Sequence, residues 1–366
     1  MSLHHRIAFA SVYAMRPALA RELLELCGSE EEFFAMEETR LRYLTQSRAR
    51  IYSADYRRQL LERAATEVRF VEGNRIRPLY FLDDDYPRRL ADCEDAPLLI
   101  YTLGNLDLNA ARMVGIVGTR HATPYGLEWT RKLVADLAAT TEGIVIVSGL
   151  AYGIDIAAHR AALAAGIPTV GVMATGLQTV YPADHRSDAA RMVSEGGMLI
   201  TEYAHTEPIH KGNFVARNRI VAGLCDCLVV AESAAKGGAL ITAGIASDYG
   251  RDVLALPGRV GDTYSAGCNR LIASGAAALI SGADDLCAAM GWPRRSDQAA
   301  EAPELPLELN PQEASVVDFL EKNDDATLPQ LIAATGTPVG PLTSMLIDME
   351  FRGLVISLPG GRYRRT

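Results

Sequence analysis

Lysine is nearly missing from this chain: its 366 residues include only Lys132, Lys211, Lys236 and Lys322, and 36 Lys and Arg face 45 Asp and Glu for a formal net charge of −9. That balance excludes a protein that coats nucleic acid indiscriminately, because phosphate binding follows clustered positive charge; any phosphate site must be local. No apolar run approaches the ~18–20 residues of a membrane span. The N-terminus also lacks the charged-then-apolar pattern of a secretion signal, so a cytoplasmic protein with no membrane association is expected. Cys27, Cys93, Cys225, Cys227, Cys268 and Cys287 are scattered, with one C-x-C and no pair of C-x-x-C motifs. Reduced, mostly buried thiols are expected, with no metal centre and no cofactor. The absence of G-x-x-x-x-G-K-[ST] disfavours P-loop ATP hydrolysis.

What the chain has in quantity is glycine, placed after short apolar runs between Met113 and Ile280. Val114–Val117 ends in Gly118-Thr119-Arg120, and Ile144–Val147 ends in Ser148-Gly149-Leu150-Ala151-Tyr152-Gly153-Ile154-Asp155. Thr169–Met173 leads into Ala174-Thr175-Gly176, Met198–Ile200 into Thr201-Glu202-Tyr203, and Leu228–Ala231 into Glu232 and Lys236-Gly237-Gly238; Val253–Leu256 closes on Pro257-Gly258. Helical-length segments such as Tyr125–Ala139, Ile154–Ala165 and Leu240–Tyr249 lie between the runs. Strand and helix therefore alternate as a parallel sheet requires, and the continuous Val/Ile/Leu runs suit strands buried on both faces. In such a sheet ligands sit outside the carboxyl ends of the strands, where helix N-termini and backbone N–H groups favour anions. Every glycine turn falls there, and Ser148, Thr119, Thr201 and Thr242 are expected to add hydroxyl donors.

The fold class expected is α/β: an extended Rossmann-like parallel sheet core at 67–291, preceded at 1–66 by a small helical domain of the SAM or helix-hairpin kind. Leu23, Leu24, Leu26, Phe33, Phe34, Leu41, Leu44, Leu60 and Leu61 supply the apolar stripe of that helical start. Gly28-Ser29 before Glu30-Glu31-Glu32 reads as a helix stop followed by a new N-cap with an acidic first turn. Asp83-Asp84-Asp85-Tyr86-Pro87 reads as a turn, since adjacent carboxylates rarely converge on one ion and no EF-hand spacing follows.

Residues 292–309, with Pro293, Pro303 and Pro306, read as a polar linker. The following segment, 310–366, has helices at Pro311–Leu320, Thr327–Thr335 and Val339–Arg352. Val355–Leu358, a Pro359-Gly360-Gly361 turn and Arg362–Arg365 complete the order of a winged helix. Its third helix would ordinarily enter the major groove of duplex DNA. Here that helix carries Asp348 and Glu350 and no Lys or Arg before Arg352, so it is expected to contact protein rather than phosphate.

The order and wording of the glycine turns resemble the DNA-processing protein A family (DprA, also called Smf). The resemblance rests on Gly115-Ile-Val-Gly118-Thr-Arg120, Ser148-Gly-Leu-Ala-Tyr-Gly-Ile-Asp155 with Ala158-His159, Tyr181-Pro182 and Glu202-Tyr203. Further along it rests on Lys211-Gly-Asn-Phe214-Val-Ala-Arg217-Asn218-Arg219-Ile220, Glu232, Lys236-Gly-Gly-Ala-Leu-Ile-Thr242, Gly250-Arg251-Asp252-Val253, Pro257-Gly258 and Gly267-Cys-Asn269-Arg-Leu-Ile272. It covers residues 68–290 strongly and the two ends more weakly. Two departures, Lys236-Gly237-Gly238-Ala239-Leu240 for Lys-Ser-Gly-Ser-Leu and Phe214-Val215 for Phe-Pro, remove little from a backbone-lined phosphate site.

The resemblance implies a cytoplasmic bacterial protein, a homodimer without catalytic activity, that binds single-stranded DNA and helps load the RecA recombinase in natural transformation (competence) and homologous recombination. Its DNA phosphates are then expected on Gly118, Thr119 and Arg120, on Ser148 and Gly149, and on Lys236, Gly237 and Gly238. Lys211 would add a point charge and Phe214 a ring on which a base stacks. Phe214 has a second reading, as a core aromatic. Arg217, Asn218 and Arg219 either reach phosphate or pair with Glu202 and Glu232 to shape the loops. Asp155 and His159, spaced i,i+4, are read as a structural hydrogen bond in preference to a catalytic dyad. The rival function is a nucleotide-processing enzyme of the lysine-decarboxylase-like phosphoribohydrolase type, with Glu232 acting at a ribose beside Gly237-Gly238. A third reading, a pure adaptor, would rest on the winged helix alone.

Overall fold

A computed structural model of the chain describes residues 2–12, 16–110, 112–295, 309–323, 325–358 and 361–365. The chain divides into two compact units, Met1–Gln298 and Ala299–Thr366.

In the first unit the helical start comprises α1 (Leu3–Ala10), α2 (Pro17–Cys27), α3 (Glu30–Ala35), α4 (Glu38–Thr45) and α5 (Ala54–Gly73). Ser29 caps α3 as its sequence suggests, its side chain accepting from the Glu32 N–H. Position 66, expected to end a separate helical domain, lies inside α5. The reason is packing: Leu60, Ala64 and Val71 of α5 belong to one continuous core with Ile100 of the sheet.

The sheet has nine strands: β1 (Arg77–Tyr80), β2 (Leu99–Gly104), β3 (Arg112–Gly118), β4 (Ile144–Gly149), β5 (Thr169–Val172), β6 (Met198–Thr201), β7 (Cys227–Glu232), β8 (Asp252–Ala255) and β9 (Ala278–Leu279). Their spatial order is β1-β2-β6-β5-β4-β3-β7-β8-β9. The seven strands from β3 to β9 pair in parallel, while β1 and β2 add an antiparallel edge beyond β6. Asp83, in the expected turn after β1, accepts from the Tyr80 N–H at 3.0 Å and pairs with Arg6 at 2.8 Å. No group of three or more metal-ligating side chains occurs among the described residues.

Helices cover both faces: α6 (Arg88–Ala91), α7 (Pro124–Thr140), α8 (Ile154–Ala165), α9 (Arg186–Ser194), α10 (Lys211–Ala216), α11 (Asn218–Leu224), α12 (Gly238–Asp248), α13 (Ala266–Ala273) and α14 (Ala283–Met290). Two-sided burial explains the unbroken apolar runs. Met113 and Val117 of β3 join the core on one face, and Val114 and Ile116 join the core on the other. The six cysteines are all buried. No helix among the described residues is long and apolar enough to cross a membrane.

The second unit has α15 (Pro311–Lys322), β10 (Ala326–Thr327), α16 (Leu328–Thr335), α17 (Val339–Phe351), β11 (Val355–Leu358) and β12 (Arg362–Arg365). Its sheet runs β10-β12-β11, over a core of Val316, Leu320, Leu331, Leu342, Leu346 and Met349. Asn310 and Glu313 form a reciprocal capping box at the start of α15. This is the winged-helix order expected. Most of the expected linker, and Pro359 and Gly360 of the wing turn, lie outside the described residues.

Candidate nucleic-acid interface

Chain direction reverses across the sheet between β3 and β7. From β3 the chain steps through β4 and β5 to β6, then returns to β7 on the other side and steps outward again. The loops after β3 and β7 therefore part and leave a crevice, the place where open α/β sheets bind ligands. A cavity of about 330 Å³ occupies it, with Arg120, Phe214, Asn218, Lys236, Gly237 and Tyr264 among its walls.

The loops around the cavity are laced together by main-chain bonds. The Thr119 N–H donates to the Glu232 carbonyl at 2.8 Å, Ile154 N–H to the Thr119 carbonyl at 3.3 Å, and Ser233 N–H to the Tyr264 carbonyl at 2.8 Å. Gly153, at φ 78°, makes the middle bond possible, because a Cβ there would lie 2.2 Å from the Thr119 oxygen. Glu232 adds a side-chain latch: its carboxylate accepts from the Thr123 N–H at 2.9 Å and the Thr123 hydroxyl at 2.5 Å, fixing the start of α7. The enzymatic alternative needed that carboxylate free to act at a ribose.

Several expected donors are already spent, which corrects the phosphate cradle read from the turns. The Ser148 hydroxyl donates inward to the Ile116 carbonyl at 2.5 Å, Thr201 to Met173 at 3.4 Å, and Thr242 to Gly238 at 3.1 Å. Of the Thr119 donors the backbone N–H is held by the Glu232 carbonyl, whereas its hydroxyl only accepts, from His121 N–H at 3.2 Å, and keeps its own O–H to donate. Gly149 faces the Arg217 guanidinium, where a Cβ would stand 2.3 Å from Nη1. Gly118 packs on Ile154.

What remains open is cationic and aromatic. Arg120 and Lys236 are exposed, and α12 begins with Gly237 as an N-cap that offers no side-chain bond. Orphan N–H groups at such a helix start attract anions. Phe214 sits half-buried on α10, a helix with no buried residue. Its ring meets the exposed Tyr181 ring edge-on at 5.3 Å, and the Arg120 guanidinium stands 6.0 Å from its centroid. The core-aromatic reading of Phe214 is therefore set aside. Lys211, exposed, opens the same helix three residues earlier.

Arg217, Asn218 and Arg219 separate. Arg217 is 4% exposed; its Nη1 donates to the Val172 carbonyl, its Nε donates to Asn218 Oδ1 at 3.3 Å, and Asp155 lies close enough to act on its charge. Burial pulls its guanidinium below the ordinary value. Asn218 lines the cavity. Arg219 points to another side, pairing with Glu202 and lying 3.9 Å from Asp95. The pairing expected with Glu202 thus belongs to Arg219 alone, and Glu232 is latched to Thr123 instead.

Asp155 and His159 do not form a dyad. Both ring nitrogens of His159 are engaged, Nδ1 with the Thr169 hydroxyl at 2.7 Å and Nε2 with the Gly149 carbonyl at 2.6 Å. Full burial pulls the imidazole down to about 4. Burial also raises the Asp155 carboxyl, against the pull of Arg217. Site aromatics that sequence reasoning did not single out are Tyr152 and Tyr264; the only signal for Tyr152 was its place in the Ser148–Asp155 turn.

Comparison with known proteins defines the class. A family model described as DNA recombination-mediator protein A matches residues 77–291, and one described as the DprA winged helix domain matches 298–361. The chain belongs to the DNA recombination-mediator protein A family. Among its relatives, Protein Smf of Synechocystis is 35% identical over 317 residues, 77% of this chain and 78% of that one. The DNA processing protein DprA of Streptococcus pneumoniae is 42% identical over 205 residues, 56% of this chain and 71% of that one. The X-ray structure of Streptococcus pneumoniae DprA superposes with a TM-score of 0.65 at 31% identity, covering 79% of this chain and 98% of that one. A Helicobacter pylori DprA structure, described by its single-stranded DNA binding mode, gives 0.52 at 30% identity over 59% and 95%.

Proposed function

We propose that this protein binds single-stranded DNA in the crevice between β3 and β7 and, as a cytoplasmic homodimer without catalytic activity, delivers that strand to a RecA recombinase during natural transformation and homologous recombination. The observation that carries the binding step is the pairing of free cations with an open ring. Arg120, Lys236 and the uncapped start of α12 suit phosphate, and Phe214 beside Arg120 suits an unpaired base. Stacking and phosphate contacts carry no base code, so binding should be nearly indifferent to sequence. The recombinase step and the homodimer rest on family membership and on the single-stranded DNA named for the Helicobacter pylori relative. The winged helix is assigned to protein contact, because its arginines are matched by acids: Arg352 with Glu313 at 2.8 Å and Arg362 with Asp325 at 2.6 Å.

A mobility-shift titration of single-stranded against duplex DNA at two salt concentrations, with a nucleoside monophosphate as competitor, tests this reading. Tighter binding of the single strand is expected. Equal affinity for duplex, or full displacement by the monophosphate, refutes it.

A further inference from the structure

Arg120 borders three cavities rather than one. The first is the crevice between β3 and β7. The second is a small slot walled by Tyr152, Tyr181, Phe214 and Met173. The third is an open groove of about 600 Å³ between α7 and α8. Phe214 is shared by the first two and Tyr152 by the last two, so a continuous wall of rings and one arginine joins all three.

The third groove exists because α8 presents Ala157, Ala161 and Ala164 to it, side chains too short to fill the space beside α7. Its charged groups are Arg120, Arg131 and Arg160 against Asp184, with Asp188 held behind Arg160 in a bidentate pair at 3.1 and 2.8 Å. The Tyr152 hydroxyl donates to Asp184 at 2.9 Å, which holds the ring at the groove's entrance with 45% of its surface exposed. Arg131, on α7, is exposed and makes no hydrogen bond or ion pair among the described residues. Three guanidiniums against two carboxylates, in a chain of net charge −9, make a local cationic channel leading away from the crevice.

We propose that the single-stranded DNA track continues past Arg120, across the Tyr152 ring and into the α7–α8 groove, where Arg131 holds a further backbone phosphate. This rests on the single-strand reading above and adds a segment of polynucleotide that no nucleotide or short oligomer would reach. Arg160 contributes through its exposed edge while Asp188 keeps it in place; Tyr152 turns the strand by offering a stacking face at the corner.

The test uses the full chain with oligothymidines of about five and about twenty nucleotides, bracketing the ~4–16 nucleotide footprints common for single-strand sites. Arg131→Ala should weaken the longer oligomer and lower its salt slope by about 0.7, while leaving the shorter one unchanged. Lys132→Ala is the control: it is adjacent on the same helix, is already paired with Asp136, and should change neither. An unchanged slope in Arg131→Ala while Lys211→Ala lowers it overturns the extended track and leaves the crevice reading intact. Equal effects of Lys132→Ala and Arg131→Ala also overturn it, because they would report general charge rather than a groove. If the unaltered protein binds neither oligomer, both readings fall. Circular dichroism melting of each variant distinguishes loss of fold from loss of contact.

Discussion

Truncating Phe214 to alanine separates stacking from structural work, because the two roles leave opposite signatures. A buried phenylalanine would cost ~3–5 kcal/mol on truncation, through lost transfer energy and an unfilled cavity. Phe214 is not in that position. Its six-residue helix buries no side chain, so removal opens no internal void, and the contact at risk is the edge-on meeting with Tyr181 at 5.3 Å. Such a pair is worth ~0.5–1.5 kcal/mol, and in a unit of this size that lowers the melting temperature by roughly 2–4 °C per kcal/mol. If a base stacks on the ring, single-strand affinity should fall by ~1–3 kcal/mol, about 5- to 150-fold. The salt slope should hold, since no charge is removed. Lys211→Ala should behave in the reverse manner, lowering the single-strand salt slope by about 0.7 with little change in melting. Fluorescence titrations at several salt concentrations, with calorimetric melting of the same two proteins, read all four quantities. A Phe214→Ala protein that melts early, or that binds DNA as tightly as the parent, refutes this placement of the strand.

Gly149→Ala should cost ~1–3 kcal/mol by overpacking, because the new methyl would stand 2.3 Å from a buried guanidinium already committed to the Val172 carbonyl; a lowered urea midpoint checks it. His159, pulled down to about 4 by burial, should stay neutral in the folded protein well below its ordinary value. The unfolded chain protonates at ~6.5, so this residue's contribution to stability is intact above that pH, declines as pH falls toward about 4 and is level below it, a total of ~3 kcal/mol. An NMR titration of the His159 ring that shows a midpoint near 6.5 would contradict this. Removing residues 299–366 should leave single-strand affinity within about tenfold, ~1.4 kcal/mol; a larger loss would mean that the paired arginines of the wing hold DNA after all.

The parallel strands were legible because two-sided burial forces continuous apolar runs, and the winged helix because its caps and periodicity are local. What could not be read depends on contacts distant in the chain. The Thr123–Glu232 latch spans 109 residues, and no local pattern announces it. Ser148 looked like a ligand donor since it follows a strand and precedes a glycine, yet β4 runs on to Gly149 and the hydroxyl stays inside the sheet layer. Arg217 and Arg219 looked equivalent in sequence; two residues apart on helical backbone they face different sides, one into the protein beside Asp155 and the other to Glu202. A boundary at 66 depends on packing of the same distant kind: α5 runs through that position, and its Leu60, Ala64 and Val71 share a core with Ile100 of the sheet.

The lacing of the loops around the crevice has an entropic consequence. Thr119, Ile154, Ser233 and Glu232 are fixed by bonds within the protein, so this rim has little freedom left to lose when a ligand arrives, and preorganisation of this kind spares affinity. The adapting must then be done by the nucleic acid. A single strand can turn its backbone torsions to follow a rigid mould and expose a base to Phe214, whereas a duplex would first have to break pairing and stacking. Preference for single strands can therefore reside in the stiffness of the protein, with no group devoted to rejecting the double helix.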